Sequence, residues 1–281
     1  MKPEESIRTA LSLLFQEGSV VELRALGDRT HYGYYTDHDK LARDAAILDT
    51  TPGISGIYIT LNRVNPVLLS RCANRIKKAG QKEPQTADGD IIRRSWLPID
   101  IEPRRPAGIS SSDEEHTAAL KKAAVIKAYL TEMGWPDPIH ADSGNGAHLL
   151  YQIDLPADQE NTLLIRDCLK TLDQIFSDDQ SVIDTAVANP ARIWKLYGTR
   201  SRKGDHTIER PHRISHIITH PDSIEPVSVP CLMSLASLCM EPDQTEKSGI
   251  SRSGIPGLSE PSRQSGKSGV IDLAEWLTLH G

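Results

Sequence analysis

The sequence predicts an α+β domain with a central antiparallel or mixed sheet, and three observations carry that prediction. Helix-like and strand-like periods follow one another as strand, helix, strand, strand, helix and then more strands, not as strict βα repeats. With 281 residues, 38% hydrophobic and 25% charged, the chain can bury one sizeable α/β-type core and a small appended element. The run Leu97-Pro98-Ile99-Asp100-Ile101-Glu102 alternates apolar and acidic residues, so one strand carries two carboxylates on the face opposite its core side.

The elements follow in order. Pro3 to Gln16 reads as a helix and Ser19 to Leu26 as an alternating strand. A helix is expected from about Asp37 to Leu48, a strand over Gly56 to Leu61, and a further helix beginning near Pro66, where proline suits the first turn. Residues 80–94 look like a polar loop carrying Arg93 and Arg94. After the acidic strand, Ser111-Ser112-Asp113-Glu114-Glu115 is a capped, acidic start for a long amphipathic helix that stops at Gly134-Trp135-Pro136. Leu149 to Ile153 reads as a buried strand, Ala157 to Phe176 as a helix, Thr207 to Ile218 as alternating strands, and Val229 to Met240 as the last helix. From Ser248 to Gly269 there are seven Ser, five Gly and two Pro, the composition of a tether, before Ile271 to Leu277 resumes a helical period. The expected organisation is a domain over 1–240, a linker over 241–270 and the start of a helical segment over 271–281. No internal repeat is detected.

Asp100 and Glu102 project from one face, and two acids so placed repel unless something positive offsets them. Paired hard oxygen ligands are what Mg²⁺ or Mn²⁺ takes in phosphoryl transfer. The alternative is a solvated sheet edge. Downstream, Asp142-Ser143-Gly144-Asn145-Gly146-Ala147-His148 is a glycine-bearing turn whose backbone N–H groups and serine hydroxyl could approach an anion, with His148 opening the next strand. A third acid, Asp184, follows in Ser181-Val182-Ile183-Asp184. Between Arg192 and Arg213 stand seven basic residues, among them Lys195 and Lys203, against two acids. Three carboxylates for metals and a basic cluster for phosphates form the inventory of nucleotidyl transfer.

At these residues the chain resembles the archaeo-eukaryotic primase superfamily, in the plasmid- and phage-type branch of primase-polymerases often fused to a helicase. The likeness rests on Asp100 and Glu102, on Ser143 to His148, and on Asp184 followed by Arg192 and Lys195; Tyr58-Ile59-Thr60-Leu61-Asn62 and Arg210-Pro211-His212-Arg213 add to it. It covers about residues 20 to 220. One departure stands out: the family's second motif is commonly Ser-x-His, whereas here Gly146 occupies that place and Ser143 lies five residues before His148.

The resemblance implies an RRM-like catalytic subdomain joined to an N-terminal α/β part. It implies a DNA primase or DNA polymerase in which Asp100, Glu102 and Asp184 hold two divalent ions, Mg²⁺ or Mn²⁺. Ser143, Gly144, His148, Arg192, Lys195 and Lys203 would contact the incoming NTP or dNTP. The partners it implies are single-stranded DNA template and a helicase domain C-terminal to this chain. Two other readings stay open: a metal-dependent nuclease, and a non-catalytic single-stranded-DNA or origin-binding module.

Other features have plainer readings. A net charge of −6 argues against a binder that coats long duplex, so nucleic acid would meet a local groove. Cys72, Cys168, Cys231 and Cys239 lack C-x-x-C spacing and read as reduced thiols. Ser265-Gly266-Lys267-Ser268 lacks the first glycine and the preceding strand of a phosphate-binding loop. His212, His216 and His220 read as surface or strand histidines, and Trp194 and Tyr197 as packing residues. Arg104 and Arg105 read as solvated loop residues or as contacts to a nucleic-acid backbone. Apolar runs are too short to span a bilayer and the N-terminus lacks a signal peptide's apolar segment, which makes a cytoplasmic location the expectation.

Overall fold

The computed structural model describes residues 3–80 and 83–239, so the expected linker and terminal helical segment lie outside the described residues. The described chain is mixed α+β, and its two sheets pair antiparallel throughout their named strands.

The first half supplies α1 (Pro3–Leu14), the hairpin β1 (Val21–Gly27) and β2 (His31–Tyr35), α2 (His38–Asp49), β3 (Ile54–Thr60), and the short strands β4 (Arg63–Val64) and β5 (Lys77–Lys78). Asp37 caps α2 by accepting from the Lys40 amide at 2.8 Å. Leu23, Ala25, Ile57 and Ile59 are fully buried on the side of the sheet that α2 covers. Glu22, Arg24, Tyr58 and Thr60 alternate with them and so emerge on the other face.

The second half begins at β6 (Ile91–Pro103) and continues through α3 (Asp113–Glu132), β7 (Ile139–Asp142), β8 (Ala147–Pro156), α4 (Gln159–Phe176) and β9 (Ser181–Ile183). Its strands lie in the order β7-β8-β6-β9, a β-α-β-β-α-β arrangement in one sheet. The chain then crosses to the first sheet as β10 (Ile193–Lys195), which pairs with β3. It returns as β11 (His216–Thr219) beside β7 and continues into α5 (Val229–Ala236), packed on α4. The capping box foreseen for α3 is present: Ser112 Oγ accepts from the Glu115 amide at 3.2 Å, and Ser112 N–H donates to Glu115 Oε2 at 2.9 Å. Beneath α3, Ile99, Ile101 and Leu149 are fully buried, and each such side chain contributes about 1.5–3 kcal/mol.

Several local expectations differ from the structure. The loop expected over 80–94 ends at Ile91, because Arg93 and Arg94 belong to β6. Arg93 pairs across the strand with Asp154, and Arg94 is buried with its guanidinium donating to Thr162 Oγ1 at 2.8 Å and the Ala188 carbonyl at 2.9 Å. The helix expected near Pro66 is a single 3₁₀ segment, Pro66–Arg71. Most of 207–218 is loop and only its end joins β11. Arg210 and Arg213 anchor that loop to Glu115 and Asp113 at the start of α3.

Candidate active site

The register between β6 and β8 places Asp100 opposite His148, and residues directly opposite across an antiparallel pair share a face. On the other flank, the Asp184 amide donates to the Asp100 carbonyl at 3.0 Å, which extends the β6–β9 ladder by one residue beyond the Ile101–Ile183 pair. Asp100, Glu102, His148 and Asp184 thus lie together on the face away from α3. A cleft of about 180 Å³ opens here, walled by Asp100, Glu102, Ser143, Asn145 and His148 from one sheet and its turn, by Tyr58, Arg192, Ile193, Trp194 and Lys195 from the other, and by Ser201 and Lys203.

His148 is held from behind. Its Nδ1 lies 2.9 Å from the Tyr197 hydroxyl, which also accepts from Trp194 Nε1 at 2.9 Å, and its ring packs on Trp194 with centroids 4.1 Å apart. Tryptophan can only donate, so the Tyr197 oxygen accepts from it while also meeting His148 Nδ1. Nε2, on the far side of the ring, faces Asp100 Oδ1, 3.5 Å away. Burial alone would raise the Asp100 carboxyl, but the charge and hydrogen bond of His148, followed by Lys203 and Arg192, outweigh it and hold the group below the usual carboxylate range.

The other two acids are engaged by cations. Lys203 Nζ approaches Glu102 Oε1 to 3.1 Å and Arg105 approaches Oε2 to 3.2 Å; Arg192 meets Asp184 Oδ2 at 3.0 Å. Asp184 Oδ1 also caps the following 3₁₀ turn through the Ala186 amide at 2.8 Å. Among the described residues no three His, Cys, Asp or Glu side chains are arranged to hold a metal ion. The acids share a face, but their positive partners are side chains of this protein.

The glycine turn is largely self-satisfied. Gly144 N–H donates to Asp142 Oδ1 at 2.5 Å, and the Asn145 and Gly146 amides donate to Ser143 Oγ at 3.3 and 2.9 Å. Ser143 lines the cleft while its hydroxyl closes the turn, and the Gly144 amide is directed at Asp142 and not at the cleft. Gly144 needs its positive φ of +88°, and Gly146 has no room for a side chain: a Cβ there would stand 2.2 Å from the Ile101 carbonyl oxygen, on the acidic strand itself. Beneath the turn Asp142 accepts from His116 Nε2 at 2.9 Å.

Lys195 is buried, donates to the Arg200 carbonyl at 2.8 Å and sits over the Tyr58 ring, 5.6 Å from its centroid. Tyr58 has its phenol raised, by burial first and then by the charges of Glu102 and Asp100. The site therefore contains residues that sequence reasoning did not assign to it: Tyr58, Asn145, Trp194, Tyr197, Ser201 and Arg105. Tyr58 stood within a phrase already noted for its resemblance, and Trp194 and Tyr197 lie beside Arg192 and Lys195. Ser201 carried no signal of its own. It joins the cleft because Ser201 Oγ donates to the Ser143 carbonyl at 2.5 Å.

No family model matches this chain, and no curated protein matches it. Among solved structures, similarity is found to the crystal structure of primase RepB′, with a TM-score of 0.45 and 11% identity, covering 84% of this chain and 62% of that one. The chain thus corresponds to about three-fifths of that protein's length.

Proposed function

We propose that this chain is a template-directed nucleotidyltransferase, a DNA primase or DNA polymerase, that joins nucleotides on single-stranded DNA. The observation that supports this reading best is the cleft itself. Asp100, Glu102 and Asp184 share one face of a β-α-β-β-α-β sheet, which we read as an RRM-like catalytic subdomain, and across from them stand Arg192, Lys195 and Lys203. Acids beside bases in one groove suit a reaction in which an anionic substrate must be held against carboxylates that manage positive charge.

Oxygen donors on paired strands suit a hard divalent cation in kind, and Asp100 is held ionised. Asp100, Glu102 and Asp184 are the residues that would hold Mg²⁺ or Mn²⁺, which when bound would activate a hydroxyl and neutralise the leaving group. The remaining work falls to the protein's own side chains. Arg192 and Lys203 exchange Asp184 and Glu102 for phosphate oxygens. His148, fixed by Tyr197, keeps Nε2 on the acid side of the cleft, and Ser143 borders the triphosphate through its turn. Template strand and nucleotide are the partners this reading requires.

Primer extension on a single-stranded template with labelled nucleotides, with Mg²⁺ or Mn²⁺ and with and without a primer, tests the reading. Asp100→Ala or Glu102→Ala should abolish incorporation while thermal melting shows a folded protein. Retained extension by either variant overturns the assignment of the acids.

A further inference from the structure

Lys195 is unusual within this cleft. Arg192 and Lys203 are two-fifths exposed and each meets a carboxylate, whereas Lys195 is 6% exposed and has no carboxylate within ion-pair distance among the described residues. Burying an ammonium without a counter-ion is costly. Of its three donors one is given to the Arg200 carbonyl, and the Tyr58 ring covers another side. The charged groups around it do not compensate: Asp49 from the end of α2 is already bonded to the Arg200 amide at 3.0 Å and to Arg202 Nη1 at 2.9 Å, and Arg202 itself repels. A fixed cation for holding phosphate would be better served by an exposed or carboxylate-paired side chain, as its two neighbours are.

We propose that Lys195 is a proton-transfer residue, giving an ammonium proton to the bridging oxygen of the departing pyrophosphate as a nucleotide is joined. This rests on the transferase reading above. In the step, the hydroxyl oxygen of the growing end bonds to the α-phosphorus and loses its proton to water. The bond from the α-phosphorus to the bridging oxygen breaks, and its electron pair stays on that oxygen. That oxygen takes a proton from Lys195 Nζ, and the amine regains one from solvent. Burial, with Arg202 adding to it and Asp49 opposing, pushes the Lys195 ammonium down to about 7, so proton release and recovery are both accessible near neutral pH. Because its hydrogen-bonded partner among the described residues is a backbone carbonyl, the side chain keeps its place when it changes charge.

Two measurements decide the matter on the intact chain. The first is an NMR titration of protein labelled with ¹³C at the lysine ε-carbon, with Lys195→Arg identifying the resonance; a midpoint near 7 is expected, and one above about 9.5 overturns the proposal. The second is single-turnover incorporation from about pH 6 to about pH 9. The wild-type rate should fall on the alkaline side with the midpoint seen by NMR. Lys195→Arg keeps the charge but cannot release a proton, so it should bind nucleotide within about threefold of wild type, lose about a hundredfold in rate and lack that alkaline limb. An arginine variant that keeps the wild-type rate overturns proton transfer and leaves a simple phosphate clamp. Should the variant not fold, the wild-type titration and its agreement with the alkaline limb still decide. Incorporation with an unperturbed lysine overturns the proton donor alone, whereas no incorporation by wild type overturns the transferase reading and the donor with it.

Discussion

Tyr197→Phe removes one oxygen from the middle of the chain that runs Trp194, Tyr197, His148, Asp100. The Tyr197 side chain is buried, and the change conserves its ring volume, so packing is nearly preserved. What is lost is the partner of Trp194 Nε1 and of His148 Nδ1, both held at 2.9 Å. A buried donor or acceptor left unpaired costs about 1–3 kcal/mol, which makes the expected loss about 2–6 kcal/mol for the two groups together. Urea unfolding should show a lower midpoint with an unchanged slope, since the surface exposed is the same. Trp194→Phe in the same background gives a sharper measure. Once the indole N–H is gone it needs no acceptor, so the double variant should cost about 1 kcal/mol less than the sum of the singles. NMR of the imidazole nitrogens should show the His148 Nδ1 resonance shift as its partner is lost. A loss below about 0.5 kcal/mol, or full additivity in the cycle, would refute the argument that Tyr197 orients the histidine.

Three further outcomes are expected. Gly146→Ala forces a Cβ to within 2.2 Å of the Ile101 carbonyl, so it should destabilise the fold by about 1–3 kcal/mol or more and lower incorporation by shifting the acidic strand; calorimetric melting beside primer extension checks both. On the proposed function, Arg192→Ala removes a charge that would hold phosphate and should weaken binding of a non-hydrolysable nucleotide by about ten- to a hundredfold while single-stranded DNA affinity barely moves, read by calorimetry and fluorescence anisotropy. Burial alone would raise the Asp142 carboxyl, but His116 and the Gly144 amide hold it below its usual value. Its stabilising share is therefore present above the unfolded carboxylate value of about 4 and is lost as pH falls through the lower folded one. Asp142→Asn should reduce stability at neutral pH and flatten that acid limb in urea titrations run at several pH values.

Elements whose ends are written in side chains were legible. Ser112 caps the helix expected after it, Asp37 and Asp158 cap helices expected to begin at about those positions, and alternation in Ile99 to Glu102 puts the acids on one face as foreseen. Several strands were not anticipated, two of them instructive. His31–Tyr35 pairs through its backbone but presents tyrosines on both faces, and Ile139–Asp142 is only four residues long. Arg94 misled because a polar residue reads as loop, while here one nitrogen of its guanidinium donates to Thr162 of α4 and to the Ala188 carbonyl inside the domain. The alternation over 207–218 reflects a loop pinned by ion pairs, which periodicity cannot distinguish from a strand. In the site, local motifs identified the acids and His148. That Tyr58 and Lys195 would face them depends on one sheet lying across from another, a relation no local spacing encodes.

The passage from β9 to β10 reaches beyond topology. Only nine residues separate Ile183 in one sheet from Ile193 in the other; they include a 3₁₀ turn and Pro190, and they carry Asp184 at one end and Arg192 at the other. A strap this short, shortened further by its own turn, ties the two walls covalently beside the cleft. The walls therefore behave as a frame of set aperture and not as jaws, and selection among ligands falls to side chains that can exchange partners within the frame. Leu61 and Asn62, which join β3 to β4, make a second and shorter tie between the same two sheets, so lengthening the strap alone would leave the spacing set.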